Sequence, residues 1–355
     1  MIKIPYGISD FKSLREEKYL YIDKTSFINL LEEMDSKYLF FIRPRRFGKS
    51  LFLSTLAHYY DLNNKEVFDD LFKGLYIGAN PTKLKTSYIV LQLNFSGLNT
   101  DSKEELRKSF RFTIVNAIKN NLYKYKNIFK KIENIEENID LIKDIKGLLE
   151  YYIKEVKKTG EKIYLIIDEY DHFAKDIIAM GDGDFYQNIV RATGFVRDFY
   201  ETVKIGTESV IDKIFITGIS PVMLDDLTSG FNISTNITMN KLVNEMLGFT
   251  EDEVKWIIDK ICSCIDNGRS REKNKDSDSR VNLDKDKLLL DLRKNYNGYL
   301  FNEDSQKRLY NPDMVLHFFN QYLMTGDYPK QLIDDNIRTD YGRINRLVAN
   351  EANRE

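Results

Sequence analysis

YLFFIRPRRFGKSLFLSTLAHYY, Tyr38–Tyr60, is the stretch on which the reading of the fold turns. Its first five residues form a short apolar run, the pattern of a strand buried on both faces. Its last ten place Leu51, Leu53, Ala57 and Tyr60 at helical spacing. Between them, RPRRFGKS joins strand to helix through Gly48-Lys49-Ser50. A phosphate-binding loop is built this way: backbone N–H groups of a tight loop surround a phosphate, and the following helix aims its positive end at the same charge. The Lys then reaches the β- and γ-phosphates of a nucleotide, and the Ser hydroxyl holds Mg2+.

On this reading Arg45, Arg46, Phe47, Gly48, Lys49, Ser50 and Leu51 are the candidate nucleotide-binding residues. The usual motif opens on Gly, whereas Arg43 stands there in this chain, followed by Pro44. Arg45 and Arg46 either contact phosphate or stabilise the loop by pairing with an acid. The tripeptide alone is a weak signal, because it also suits a plain helix start with an exposed Lys. A second segment strengthens it. In KIYLIIDEYD a buried strand runs into Asp168 and Glu169. A strand next to the phosphate-loop strand is expected to carry an Asp for Mg2+ and a following Glu that polarises the attacking water. Asp171 is expected to cap the helix after it. Thr217, at the end of the strand KIFITGIS (213–220), stands where a polar group senses the γ-phosphate, or is simply a strand-terminal Thr before a Gly turn. Arg191 and Arg197 offer themselves as an arginine finger, against the plainer reading of surface charges on a helix.

Working outward, residues 88–95 (YIVLQLNF) read as another strand, and 101–158 as helical with breaks near Asn127 and Gly147. Gly160 ends that region, and 184–204 read as one helix. Strands alternating with helices mean an α/β fold: a P-loop core with a mostly parallel sheet and helices on both faces. After Gly230 the pattern becomes helical. Thr250 and Glu253 form a capping box, residues 266–284 read as a charged surface loop, and a helix follows Asn311-Pro312. The expected division is a core over 1–235 and a smaller helical domain over 236–355.

Composition narrows the class. The chain has 355 residues, 42% hydrophobic and 30% charged, with a formal net charge of −2, so it has the makings of a sizeable core and is no polyanion binder as a whole. No apolar run reaches the ~20 residues of a membrane span and no signal-peptide pattern opens the chain, so a cytoplasmic, membrane-free protein is expected. Cys262 and Cys264 are too close for an ordinary disulfide, and with His58, His172 and His317 scattered they do not make a metal cage. One local patch stands out. Residues 107–131 hold Arg107, Lys108, Arg111, Lys119, Lys124, Lys126, Lys130 and Lys131 with no acid, and Tyr123, Tyr125 and Phe129 among them. Such a strip either binds nucleic acid by phosphate attraction and base stacking, or is a solvated helix face with inward-packed aromatics.

The segments GISDFKSLREEKYLYIDKTSFI, RPRRFGKSLF, LIIDEYD, FITGIS, SGFN, GFTEDEV, YNGYLF and YNPDMV, in this order, resemble the AAA-ATPase-like family of bacterial and archaeal P-loop ATPases. The resemblance implies that Arg43–Ser50 is the Walker A loop in the family's own form, without the opening Gly, and that Asp168 and Glu169 are the Walker B pair. It further implies bound ATP, an additional-strand core, a helical extension and often a C-terminal nuclease-like domain of the PD-(D/E)XK superfamily, which this chain is expected to lack. Glu16-Glu17-Lys18 is the nearest nuclease-like string and sits in a polar segment. The final stretch, TDYGRINRLVANEANRE, reads as amphipathic and helical, with the expectation of a truncated or split protein. Two functions follow as expectations: Mg2+-dependent ATP hydrolysis, with Glu169, Lys49 and Thr217 catalytic and Ser50 and Asp168 on the metal, driving a partner in nucleic-acid processing or defence; or an ATP-holding module with negligible turnover.

Overall fold

Five strands pair side by side in the order β2-β3-β4-β1-β5, all parallel: β1 Tyr38–Ile42, β2 Ile89–Asn94, β3 Ile163–Asp168, β4 Ile211–Gly218 and β5 Thr235–Asn236. The computed structural model describes residues 2–179, 183–190, 194–223, 231–269 and 284–332. Every residue of β3 is buried, as a strand covered on both faces requires. Its side chains alternate between the two faces. Ile163, Leu165 and Ile167 join a core with Leu106, Leu148 and Phe199, from the helices Lys103–Lys124, Ile145–Thr159 and Phe195–Gly206. Tyr164 turns the other way, its ring 4.8 Å from that of Tyr60 in the helix Lys49–Tyr60.

The expected helical region 101–158 is three helices, with Ile132–Leu141 between the two just named. Both expected breaks are present, at 125–131 and at 142–144, just before Gly147. It sits in the first turn of its helix, and its N–H donates to the side chain of the N-cap Asp144 at 2.6 Å. The single helix expected over 184–204 is two, Gly183–Val190 and Phe195–Gly206. β5 carried no signal, being two exposed residues.

By its contacts the chain forms two compact units. The sheet unit comprises Thr25–Pro44 and Leu53–Thr238. The other groups the described residues of Met1–Lys24, Arg45–Phe52 and Met239–Glu355. Its core gathers Ile4, Leu20, Val254, Ile257, Leu288, Val315 and Phe318. The capping box is present: Thr250 N–H donates to Glu253 Oε2 at 2.8 Å, and Glu253 N–H to Thr250 Oγ1 at 3.3 Å. It opens the helix Glu251–Arg269, which runs four residues into the expected charged loop; 270–283 lie outside the described residues. A small antiparallel pair, Asn297–Tyr299 with Leu309–Tyr310, precedes the helix Pro312–Thr325, which Asn311 caps and Gly326 ends in the left-handed conformation. The final stretch from 339 lies outside the described residues. No described helix is long and apolar enough to cross a membrane.

Candidate functional site

The carboxyl ends of β3, β4 and β1 lie together on one edge of the sheet, where α/β folds bind ligands. The strand carrying the carboxylates is not next to the phosphate-loop strand: β4 lies between them, pairing Ile216 with Ile167 on one side and Thr217 with Phe41 on the other. Spacing along the chain carries no record of strand order, so this arrangement had no signal in the residues themselves.

Asp168 ends β3 and is buried. Its Oδ1 accepts the Glu169 N–H at 2.9 Å. Glu169 itself stands in the left-handed region at φ 51°, a conformation that costs an L-residue about 1–2 kcal/mol and marks sites where the surroundings over-determine the backbone. The chain then folds over the neighbouring strand, Tyr170 N–H donating to Thr217 O at 3.1 Å. His172, which the sequence offered only as an isolated histidine, brings Nδ1 to 3.9 Å from Glu169 Oε2 and Nε2 to 3.7 Å from Asp176 Oδ2.

Two of the expected residues are held by hydrogen bonds of their own. Asp171 stands just before the helix His172–Ala179, its backbone carbonyl accepting the Lys175 N–H at 3.2 Å, but its side chain serves other donors. Fully buried, it accepts the N–H groups of Ile219 and Ser220 and the Ser220 hydroxyl, and pairs with Lys175 at 3.0 Å. It thus latches the turn after Glu169 to the segment after Thr217. Gly218 makes room for it, since a Cβ there would lie 2.4 Å from Asp171 Oδ1. Thr217 is buried and its hydroxyl donates to Phe41 O at 2.7 Å, which ties β4 to β1.

Arg43, the residue in place of the usual Gly, is also buried. Its Nη1 donates to Ile42 O and Thr238 O, both at 2.9 Å, and the guanidinium lies over the Phe41 ring, 4.1 Å from its centroid. Burial pushes its pKa down to about 9, which leaves it charged at neutral pH. This side chain braces the base of the loop.

The loop turns through two positive-φ residues, Arg46 at 63° and Gly48 at 90°, and the helix begins at Lys49. Lys49 is buried, Ser50 exposed, and Arg45 and Leu51 intermediate. Of the two readings for Arg46, pairing with an acid is the observed one: Nη1 lies 3.4 Å from Asp313 Oδ1. Phe47 is buried, its ring edge-on to Tyr299 at 4.8 Å and Phe301 at 5.3 Å.

The basic stretch is largely internal business. Tyr125 and Phe129 are buried, Tyr123 donates to Glu136, Lys119 pairs with Asp140, Lys124 with Asp61, and Lys108 with Glu104 and Glu105. Arg111 donates to the carbonyls of Ile139 and Ile142. Arg197 pairs with Glu201 within its own helix, and Arg191 lies outside the described residues. Glu16 closes a short helix and Lys18 has φ 58°, so Glu16-Glu17-Lys18 is on no strand.

The profile of the family described as Predicted AAA-ATPase matches residues 5–228, more than half of the chain, and the chain belongs to that family. It is an ATP-binding P-loop protein. An uncharacterized protein in the vnfD 5′ region of Azotobacter chroococcum is 26% identical over 340 residues, 94% of this chain. The chain spans about half of that relative's length, 55%. The Walker-type ATPase of Pyrococcus abyssi has a similar fold, with a TM-score of 0.51 at 14% identity, covering 99% of this chain and 79% of the other.

Proposed function

We propose that this protein hydrolyses ATP with Mg2+ and uses the cycle to drive a partner domain or protein. The observation that carries this reading is Glu169, a carboxylate held in the left-handed conformation directly after the buried Asp168 at the sheet edge where the phosphate-loop strand also ends. A helix-capping or merely solubilising Glu needs no such strain.

The residues fit the task. The N–H groups of 46–50 receive the phosphates, with Gly48 supplying the turn, and Lys49 binds the β- and γ-phosphates. Mg2+ would be held by the Ser50 hydroxyl and Asp168, and when bound it neutralises charge on the β- and γ-oxygens. Glu169 orients a water and takes its proton as the water oxygen attacks the γ-phosphorus. The bond from that phosphorus to the β–γ bridging oxygen breaks, and ADP leaves with the electron pair. Thr217 acts by position, holding β4 on β1.

The alternative, a module that holds ATP with negligible turnover, predicts binding without phosphate release. Within 107–131 a nucleic-acid contact would rest on exposed Arg107, Lys126, Lys130 and Lys131, with Tyr123 the exposed aromatic of the three for stacking, since Tyr125 and Phe129 are buried. A nuclease-like partner and cytoplasmic residence belong to the same proposal. The experiment is ATP titration and phosphate release on the purified chain, with and without single- and double-stranded DNA or RNA. Binding without release in every condition would sink the hydrolysis reading.

A further inference from the structure

A phosphate loop works only if its backbone N–H groups keep converging on one point while the site is empty. Here two consecutive side chains of that loop are held by residues more than two hundred positions away. Arg46, a non-glycine residue at φ 63°, is in a conformation that its surroundings must maintain. Its guanidinium meets Asp313 in the first turn of the helix Pro312–Thr325, at 3.4 Å. The next residue, Phe47, is 1% exposed and lies edge-on to Tyr299 and Phe301. A side chain at Gly248 would close the space: a Cβ there would come within 2.7 Å of Phe47 Cε1, and Gly248 itself has φ +91°.

The segments bearing these residues are tied to each other as well. Phe249 and Tyr310 exchange both backbone hydrogen bonds, at 3.1 and 2.8 Å. Asn244 Oδ1 accepts the Phe301 N–H at 3.3 Å, and Asn302 Nδ2 donates to Met239 O at 2.7 Å. The motifs GFTEDEV, YNGYLF and YNPDMV thus meet around two adjacent side chains of the loop. The ion pair is a weak tether, since Arg46 is 37% exposed there. The buried phenyl ring is the strong one.

We propose that Tyr299, Phe301 and Asp313 are positioning residues of the phosphate loop, and that nucleotide occupancy is transmitted through Phe47 and Arg46 to the segment 297–325. This rests on the reading of Arg43–Ser50 as the ATP-binding loop. Coupling is reciprocal: if these residues bias the loop toward its binding geometry, ATP must in turn stabilise them. A core of interlocked rings passes on a small shift at the loop because it has few intermediate arrangements.

The test joins hydrogen exchange to ATP titration on the full chain. In the parent, ATP with Mg2+ slows amide exchange in 297–301 and 310–316. Phe301→Leu and Tyr299→Leu weaken ATP binding by about 2- to 30-fold, the span of substitutions that alter coupling without touching ligand. Tyr299→Phe, which keeps the ring, retains the parent affinity. Asp313→Asn shows a smaller loss than either leucine variant. If the parent binds ATP while exchange in 297–325 is unchanged, the transmission is overturned and the nucleotide site stands. If the parent fails to bind ATP, the nucleotide reading falls and takes this one with it. If the leucine variants do not fold, the exchange measurement on the parent decides.

Discussion

Ser220 donates its backbone N–H to the Asp171 carboxylate at 2.7 Å, with the Ser220 hydroxyl on the same oxygen at 3.0 Å. Two turns that leave neighbouring strands are thereby held as one body at the edge where Asp168 and Glu169 stand. Asp171 is fully buried, and the donors it serves are partly buried. Asp171→Ala is expected to destabilise the fold by about 2–4 kcal/mol, more than one charge-assisted hydrogen bond, because several partly buried donors lose a shared acceptor. Denaturant unfolding measures it; an unchanged midpoint and slope would mean the latch carries no energy.

Gly218→Ala tests the same latch from the other side. The added methyl would lie 2.4 Å from Asp171 Oδ1 and 2.5 Å from Tyr170 Cδ1. Overpacking of this kind typically costs about 1–3 kcal/mol. The double variant with Asp171→Ala should lose less than the two single losses added together, since removing the carboxylate relieves part of the clash. Strict additivity in a double-mutant cycle would show that the two residues do not share a site.

Arg43→Gly restores the usual opening residue of the motif and is expected to harm stability while sparing ATP. The substitution leaves Thr238 O without its donor and empties the space over the Phe41 ring. A loss of about 2–4 kcal/mol is expected, with ATP affinity within about threefold of the parent. An affinity loss as large as that of Lys49→Ala would instead make Arg43 a phosphate ligand.

Three variants separate binding from chemistry. Lys49→Ala should weaken ATP binding by about ten- to a hundredfold, the worth of one charge-assisted contact. Glu169→Gln should bind ATP nearly as the parent does and turn it over about 10²- to 10⁴-fold more slowly. Asp168→Ala should weaken binding only when Mg2+ is present. Titration and phosphate release on the same preparations report both quantities. Parent-like affinity in Lys49→Ala would refute the loop assignment, and parent-like turnover in Glu169→Gln would leave that residue no catalytic part.

Much of this was legible in the residues. β1, β2, β3 and β4 announced themselves as short apolar runs because parallel strands are covered on both faces. Lys49, the Asp168-Glu169 pair and the Thr250–Glu253 box follow from local chemistry that needs no distant partner. β5 was hidden because nothing in Thr235–Asn236 is apolar. Its place is set by backbone pairing, with Ile237 N–H on Phe40 O and Thr238 Oγ1 under Ile42 N–H. The strand order, the partners of Phe47 and the role of Asp171 depend on what lies opposite in space, and one sequence carries no record of that. The break near Gly147 falls just before it, because a glycine three residues past the N-cap Asp144 sits in a helix's first turn, where its N–H has a use.

The bond from Arg43 to Thr238 joins residues 195 positions apart in the chain. On a ribosome adding roughly 5–20 residues per second, the base of the phosphate loop is made about 10–40 s before the carbonyl that completes it. For most of that interval β1 has neither of its neighbours, since β4 begins only at Ile211 and β5 at Thr235. An apolar strand with two open edges and a buried-type arginine at its end is then exposed to whatever else is nearby. Nascent chains halted before Thr238 should therefore be the ones that chaperones retain, and no nucleotide can rescue them, because its cradle does not yet have a floor.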